Sequence, residues 1–256
     1  MSFPLQNKRI LITREKKKTA AFSEKIKQLG GVPIEIPLLR IECSKTKENH
    51  LDFKRLDTFD WILFTSSNGV DCFFQLANYY QVNQDILHTK NIAVVGRKTE
   101  ETLILYGRKA DFIPSTYNAA TMAEEFLTSY PDATSILLVR GNRSRDVLPN
   151  RLKAAEKAFT AMEVYETHAN YSMKNKLREQ LLNSQIDYIT FTSPSTVESF
   201  VEMTTMDVAA TCVCIGSTTK QRAKELGFSS ILMPSEYTID GMIARIQEDI
   251  IRKGKK

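Results

Sequence analysis

Short apolar runs recur along the chain at 9–13, 61–64, 92–95, 136–139, 187–191 and 212–215. Each is rich in Ile, Val, Leu and Phe, with little polar alternation. That pattern predicts strands covered on both faces. A short Ser/Thr/Gly/Arg loop follows each run. Helical periodicity then begins, near 18–29, 67–78, 97–106, 145–155, 195–204 and 218–226. Strands alternating with helices predict a parallel, doubly wound α/β sheet. Gly30 and Gly107 fit helix C-caps, and Pro194 fits a first helical position after Ser193. Two longer extended segments, 32–43 and 158–168, break this rhythm.

The pattern occurs twice. Asp60-Trp-Ile-Leu-Phe-Thr-Ser aligns without a gap on Asp187-Tyr-Ile-Thr-Phe-Thr-Ser, Thr65 falling on Thr192. Ala93-Val-Val-Gly96 aligns on Val213-Cys-Ile-Gly216, and the same offset pairs Gly107 with Gly227, Pro114 with Pro234, Tyr117 with Tyr237 and Met122 with Met242. Arg9-Ile-Leu-Ile-Thr-Arg14 matches Ser135-Ile-Leu-Leu-Val-Arg140. The period is far longer than a solenoid repeat, so this is a doubled domain. The segments 32–43 and 158–168 hold equivalent places in the two halves and are candidates for the crossings between domains.

In such a sheet the loops after the strands open at one edge, where ligands bind. Here they are Thr13-Arg14, Thr65-Ser66-Ser67-Asn68, Gly96-Arg97-Lys98-Thr99, Arg140-Gly141-Asn142-Arg143, Thr192-Ser193 and Gly216-Ser217-Thr218-Thr219. Each offers backbone N–H groups at a helix N-terminus, a setting that favours anions. Ser, Thr and Asn before a helix are also ordinary N-caps. Arg14, Lys98, Arg140, Arg143 and Arg145 are not needed for capping, although exposed arginines are commonly plain surface. Loops of this kind on two lobes predict a working cleft between the domains that takes several carboxylates or phosphates.

Composition narrows the function. The net charge of +5, with 35 basic against 30 acidic residues, is a mild bias toward acidic partners. Basic residues cluster only at Lys16–Lys18 and in the tail from Arg252 to Lys256, read as a solvated end. The aromatic–basic interleaving of single-strand binders is missing, so no nucleic-acid partner is expected. No apolar run is long enough for a membrane span or a signal peptide, which predicts a cytoplasmic protein with no membrane partner. Cys43, Cys72, Cys212 and Cys214 form no Cys-x-x-Cys pair, and His50, His88 and His168 lie far apart. The cysteines read as buried free thiols, with no metal site expected. Nucleotide-binding glycine motifs and a Gly-x-Ser-x-Gly elbow are absent. Chemistry here would rest on binding and positioning.

Seven motifs together resemble the uroporphyrinogen-III synthase family. They are Leu-Ile-Thr-Arg14, Phe-Thr-Ser66-Ser-Asn-Gly-Val, Val-Val-Gly96, Arg140-Gly-Asn142-Arg-Ser-Arg145-Asp-Val-Leu-Pro149, Val-Tyr165-Glu-Thr, Phe-Thr-Ser193-Pro-Ser and Ile-Gly216-Ser-Thr-Thr. They cover nearly the whole chain in the family's order, and the Arg140-to-Thr167 series is the most specific. The resemblance implies two flavodoxin-like domains joined by two antiparallel extended segments: a discontinuous domain of 1–38 and 170–256, and an inserted domain of 42–166. It implies a monomeric enzyme of haem biosynthesis, a cyclising lyase using neither cofactor nor metal. Its substrate would be hydroxymethylbilane, a linear tetrapyrrole with eight carboxylates, closed with inversion of the last pyrrole through a spiro intermediate. Substrate contacts are then expected at Thr13, Arg14, Thr65, Ser66, Ser67, Asn68, Gly96, Lys98, Thr99, Arg140, Gly141, Asn142, Arg145, Ser193, Gly216, Thr218 and Thr219.

Tyr165 is the expected acid. The duplication pairs it with Leu39, so the halves differ there by a polar group. A phenol with a pKa of about 10 stays protonated at neutral pH and can donate to a departing hydroxyl. The resemblance matches it to the family's leading candidate for that role. The plain alternative is a tyrosine packed at a domain junction. A two-lobed anion-binding sensor without turnover is the competing class of function.

Overall fold

The structure is a computed structural model that describes residues 3–16, 19–183, 185–204 and 209–254. Lys17, Lys18, Lys255 and Lys256, and with them parts of the two basic clusters, lie outside the described residues. The chain divides into two compact units, Met1–Arg40 with His168–Lys256, and Ile41–Thr167.

The first unit opens with β1 (Arg9–Ile12), α1 (Ala20–Gln28) and β2 (Val32–Glu35). The chain then enters the second unit along β3 (Leu39–Cys43). There follow α2 (Lys47–Lys54), β4 (Trp61–Phe64), α3 (Ser67–Tyr79), α4 (Gln84–His88), β5 (Asn91–Val94), α5 (Arg97–Leu105) and α6 (Ala119–Ser129). Next come β6 (Ile136–Gly141), α7 (Val147–Ala154) and β7 (Phe159–Ala169), along which the chain returns. The first unit is completed by α8 (Lys174–Asn183), β8 (Tyr188–Phe191), α9 (Pro194–Met203), β9 (Thr211–Cys214), α10 (Ser217–Glu225), β10 (Ile231–Leu232) and α11 (Ile239–Gly254).

The first sheet runs β10-β9-β8-β1-β2, with every neighbouring pair parallel. Renumbered along this unit it is the flavodoxin-like order 2-1-3-4-5. The second sheet runs β3-β7-β6-β4-β5, parallel from β5 through β7. The duplication superposes four strands of each order, and β3 at the edge of the second sheet has no counterpart strand in the first. β9 answers to β5, β8 to β4, β1 to β6 and β2 to β7. Even the two-residue β10 has a counterpart, because Phe112, the sequence partner of Leu232, bridges Ala93 beside β5.

The unbroken apolar runs are explained by the layers on each side. In β4, Ile62 and Phe64 enter one core cluster with Val70, Phe73 and Leu137, while Trp61 and Leu63 enter another with Phe126, Leu138 and Leu152. In β1, Leu11 packs with Ile189 and Phe200, whereas Ile10 and Ile12 pack with Phe22, Ile26 and Ile246. Successive side chains point to opposite faces, and both faces are covered. Each such side chain contributes roughly 1.5–3 kcal/mol of burial. Helix ends follow the local sequence. Gly107 (φ 74°) and Gly227 (φ 91°) take the left-handed conformation after α5 and α10, at duplicated positions. Ser193 and Thr196 form a capping box with Pro194 at the first turn of α9.

One reading of the sequence is corrected, and another gains detail. Cys43 and Cys72 are not free thiols: β3 and α3 bring their Cα atoms to 5.2 Å and a disulfide joins them. Their spacing gave no sign of this, because pairing depends on how α3 packs beside the edge strand. Cys212 and Cys214 are free and buried, and burial pushes both thiols up, Cys214 to about 12. The extended segment 32–43 is two strands, broken where Ile36 and Leu38 are buried around Pro37.

Candidate functional site

The carboxyl ends of β4, β5 and β6 bring three of the expected loops to one edge of the second unit's sheet. After β4, Ser66 is extended (φ −164°, ψ 157°) and caps α3, its Oγ accepting from Gly69 N–H at 3.0 Å. The same Oγ lies 3.1 Å from the Tyr165 hydroxyl. Thr65 Oγ1 donates to Val139 O, and Ser67 Oγ donates to Lys98 O at the start of α5. Asn68 is half-buried on the first turn of α3, and Thr99 is buried in α5.

Tyr165 is only 8% exposed and belongs to the apolar cluster beneath α3. Its ring lies flat against the backbone of Gly141, where an added Cβ would meet the ring carbons at 2.8 Å or less. That approach requires glycine at this place. Asn142 ties the loop to β7: its N–H donates to Tyr165 O, and its Oδ1 accepts from Thr167 N–H at 3.0 Å. The phenol thus packs on Gly141 with its oxygen beside the N-terminus of α3, a place from which a tyrosine O–H can donate to a bound group.

Arg140, an expected substrate contact, is held by the turn that follows it. It lies inside β6, 8% exposed, and Nη1 donates to Asp146 Oδ1 at 2.8 Å while Nη2 donates to Ser144 O. Glu163 stands 3.9 Å from its Nε. Arg140 therefore braces the 141–146 turn, whereas Asn142, Arg143 and Arg145 are exposed on it. The bracing partners Ser144, Asp146 and Glu163 were not singled out in the sequence, because Asp146 and Glu163 read as ordinary surface acids.

In the first unit, Thr13, Arg14, Ser193, Gly216, Thr218 and Thr219 come together at the carboxyl ends of β1, β8 and β9. Thr13 is fully buried and its hydroxyl donates to Thr190 O at 2.7 Å, so it serves the sheet. Ser193 Oγ is occupied by the cap of α9. Thr219 is buried, Gly216 opens α10, and Thr218 is exposed beside it. Arg14 has a buried Nε with no hydrogen-bond partner among the described residues, and burial lowers its pKa against the opposing effect of Glu15. An unpaired guanidinium N–H of this kind is an anion donor held ready.

The two units repeat one further contact that the residue types hinted at. Tyr117 covers Gly96, where an added Cβ would fall 2.8 Å from Tyr117 Cβ. Tyr237 covers Gly216 at 3.3 Å in the same sense. Both tyrosines remain more than half exposed. They mark the duplication in the sequence, but their place over the loop glycines was not legible there.

Known proteins match this chain over nearly its whole length. The family profile of "Uroporphyrinogen-III synthase HemD" matches residues 20–244. A "Porphyrin biosynthesis protein HemD" of Ruminiclostridium josui is 29% identical over 97% of this chain, which spans half of that protein's length. A "Uroporphyrinogen-III synthase" of Synechococcus elongatus is 26% identical, covering 96% of each chain. The crystal structure of uroporphyrinogen-III synthetase from Helicobacter pylori has the same fold, with a TM-score of 0.66 at 18% identity, over 94% of this chain and 99% of that one.

Proposed function

This chain belongs to the uroporphyrinogen-III synthase family, and we propose that it closes hydroxymethylbilane to the type III macrocycle. The reaction breaks the C–O bond of the terminal hydroxymethyl group. The oxygen leaves as water with a proton from the Tyr165 hydroxyl, and the substrate becomes an azafulvenium cation. Attack at the substituted position of the last pyrrole gives a spiro intermediate. That intermediate reopens and closes with the ring inverted, and a ring proton is released to the Tyr165 oxygen. Atoms balance as one linear tetrapyrrole giving one macrocycle and one water.

The family match across both units is the observation that carries the activity. The Tyr165–Ser66 pair supports the choice of acid, since the phenol stands at the N-terminus of α3 where a departing hydroxide is favoured. Arg14, Lys98, Arg145 and the backbone N–H groups at Ser66, Gly96, Gly141 and Gly216 are assigned to the carboxylates. Of the remaining expected contacts, Asn68, Asn142 and Thr218 fit direct binding. Thr13, Thr65, Ser67, Thr99, Arg140, Ser193 and Thr219 fit positioning of those loops. No cofactor is assigned, and the chain is taken to act as a monomer. A sensor without turnover is not favoured, because the matched relatives carry the names of biosynthetic proteins. Hydroxymethylbilane generated in situ should yield the type III isomer with the pure protein. Type I alone, the spontaneous product, would refute the assignment.

A further inference from the structure

The second unit contains a cavity of about 360 Å³ lined by Tyr117, Arg140, Arg143, Arg145, Leu148 and Pro149, among others. Small-molecule sites span about 300–1,000 Å³, so this one has room for a single ring with short arms and not for a linear tetrapyrrole. Its walls differ in character. Tyr117 presents a ring that is 56% exposed although its Cβ is pressed against Gly96. Leu148 and Pro149 supply apolar surface, and the 141–146 turn brings two guanidinium groups, Arg143 and Arg145, to the lining beside Arg140 at the end of β6. Asp146 engages Arg140, so the brace and the ligand side of the turn are separate. The cavity lies wholly between Thr65 and Pro149 and does not include Tyr165.

An aromatic wall facing guanidinium groups suits a flat, electron-rich ring that carries carboxylates. Eight carboxylates on four pyrroles place two on each ring. We infer that this cavity holds one dicarboxylate pyrrole of the substrate, with Tyr117 as the stacking wall and Arg145 as a carboxylate ligand; the inference rests on the proposed function. Tyr117 is then a positioning residue. It fixes one ring while the chemistry proceeds at another, and its loss should weaken capture more than turnover.

The test uses the full chain with hydroxymethylbilane generated in situ. Tyr117→Ala should raise KM about ten-fold or more with kcat within about three-fold, and Tyr117→Phe should restore both, because the ring and not the hydroxyl stacks. Arg145→Glu, an exposed substitution, should raise KM at least as much. A monopyrrole with one acetate and one propionate arm should shift the Tyr117 ring resonances of the wild-type protein, and should lose that effect in Arg145→Glu. Wild-type KM in a folded Tyr117→Ala protein would overturn the inference. If that variant fails to fold, an unchanged KM in Arg145→Glu overturns it instead. In either case type III product from the wild type leaves the proposed function standing, whereas its absence there would sink both.

Discussion

The Tyr165 hydroxyl and Ser66 Oγ lie 3.1 Å apart, and two different elements hold them. β7 carries the phenol, and the start of α3 carries the serine, whose oxygen also accepts from Gly69 N–H. Removing only the phenol oxygen isolates its contribution. Tyr165→Phe should lower turnover by about ten-fold to a thousand-fold, the range of general-acid effects. Stability should fall by only about 1 kcal/mol, for one hydrogen bond. Isomer-resolved kinetics with a parallel denaturation curve checks both. Normal turnover in a folded variant would return Tyr165 to packing.

Gly141 offers a way to move the phenol without touching it. An added Cβ would collide with the Tyr165 ring carbons at 2.8 Å or less, and the ring has α3 above it. Gly141→Ala should therefore displace the hydroxyl from Ser66 and reproduce most of the Tyr165→Phe defect. Small displacements of a positioned group cost about a hundred-fold in rate. Wild-type kinetics in that variant would show that the exact seat of the ring is immaterial.

What the sequence discloses here follows from how local each cause is. β1, β4, β5, β6, β8 and β9 are visible because both faces are buried, which forces unbroken apolar runs. α8 is hidden because Leu177 is its only buried residue, so no stripe forms. β10 has two residues, too few for any period to register. The loops of the site are legible as strand-to-helix punctuation. The division of labour among their hydroxyls is not: Thr13 bonds Thr190 O and Ser67 bonds Lys98 O, partners that only the fold brings near.

The Cys43–Cys72 disulfide closes a loop with a sequence separation of 29 and ties edge strand β3 to α3. Chain-entropy arguments assign such a closure about 3–4 kcal/mol. Cys72→Ser, or the wild type in excess dithiol, should unfold at correspondingly lower denaturant. The Cys72→Ser variant should show no further loss when dithiol is added. Equal midpoints for oxidised and reduced wild type would mean that the bridge adds nothing to the fold.

Asp249 gives the acid dependence a specific origin in the first unit. Its carboxylate is 1% exposed, accepts from the Tyr188 hydroxyl at 3.0 Å, and pairs with Lys253 at 2.7 Å and Arg252 at 2.9 Å. Burial alone would raise its pKa, but the bonds from Lys253 and Tyr188 outweigh that and hold it below the ordinary value. A carboxylate depressed in the folded state adds stability above its unfolded pKa of about 3.9, and that stability is lost as pH falls through the folded value. Acid unfolding should therefore soften in Asp249→Asn, which should also lose roughly 2 kcal/mol at neutral pH. An acid limb identical to wild type would place the titrating group elsewhere.

Arg140 and Arg145 stand five positions apart in one motif and should respond in opposite ways. Arg140 is buried in β6 and bonded to Asp146 and Ser144, so Arg140→Ala leaves the turn unbraced and a cavity in its place. Breaking a buried pair of this kind costs about 3–5 kcal/mol, less here because Asp146 is itself exposed. The turn that carries Asn142 and packs Gly141 under Tyr165 should loosen with it, so kcat should fall together with stability. Arg145 is exposed, and Arg145→Ala should cost under about 0.5 kcal/mol. Its effect should appear in KM, and the penalty should shrink as added salt screens the substrate's carboxylates over about 10 Å or less. Denaturation curves and salt-dependent kinetics on both variants separate the brace from the ligand. A stable Arg140→Ala protein with a KM defect alone would reverse its assignment, and a salt-independent Arg145→Ala would remove that arginine from the binding surface.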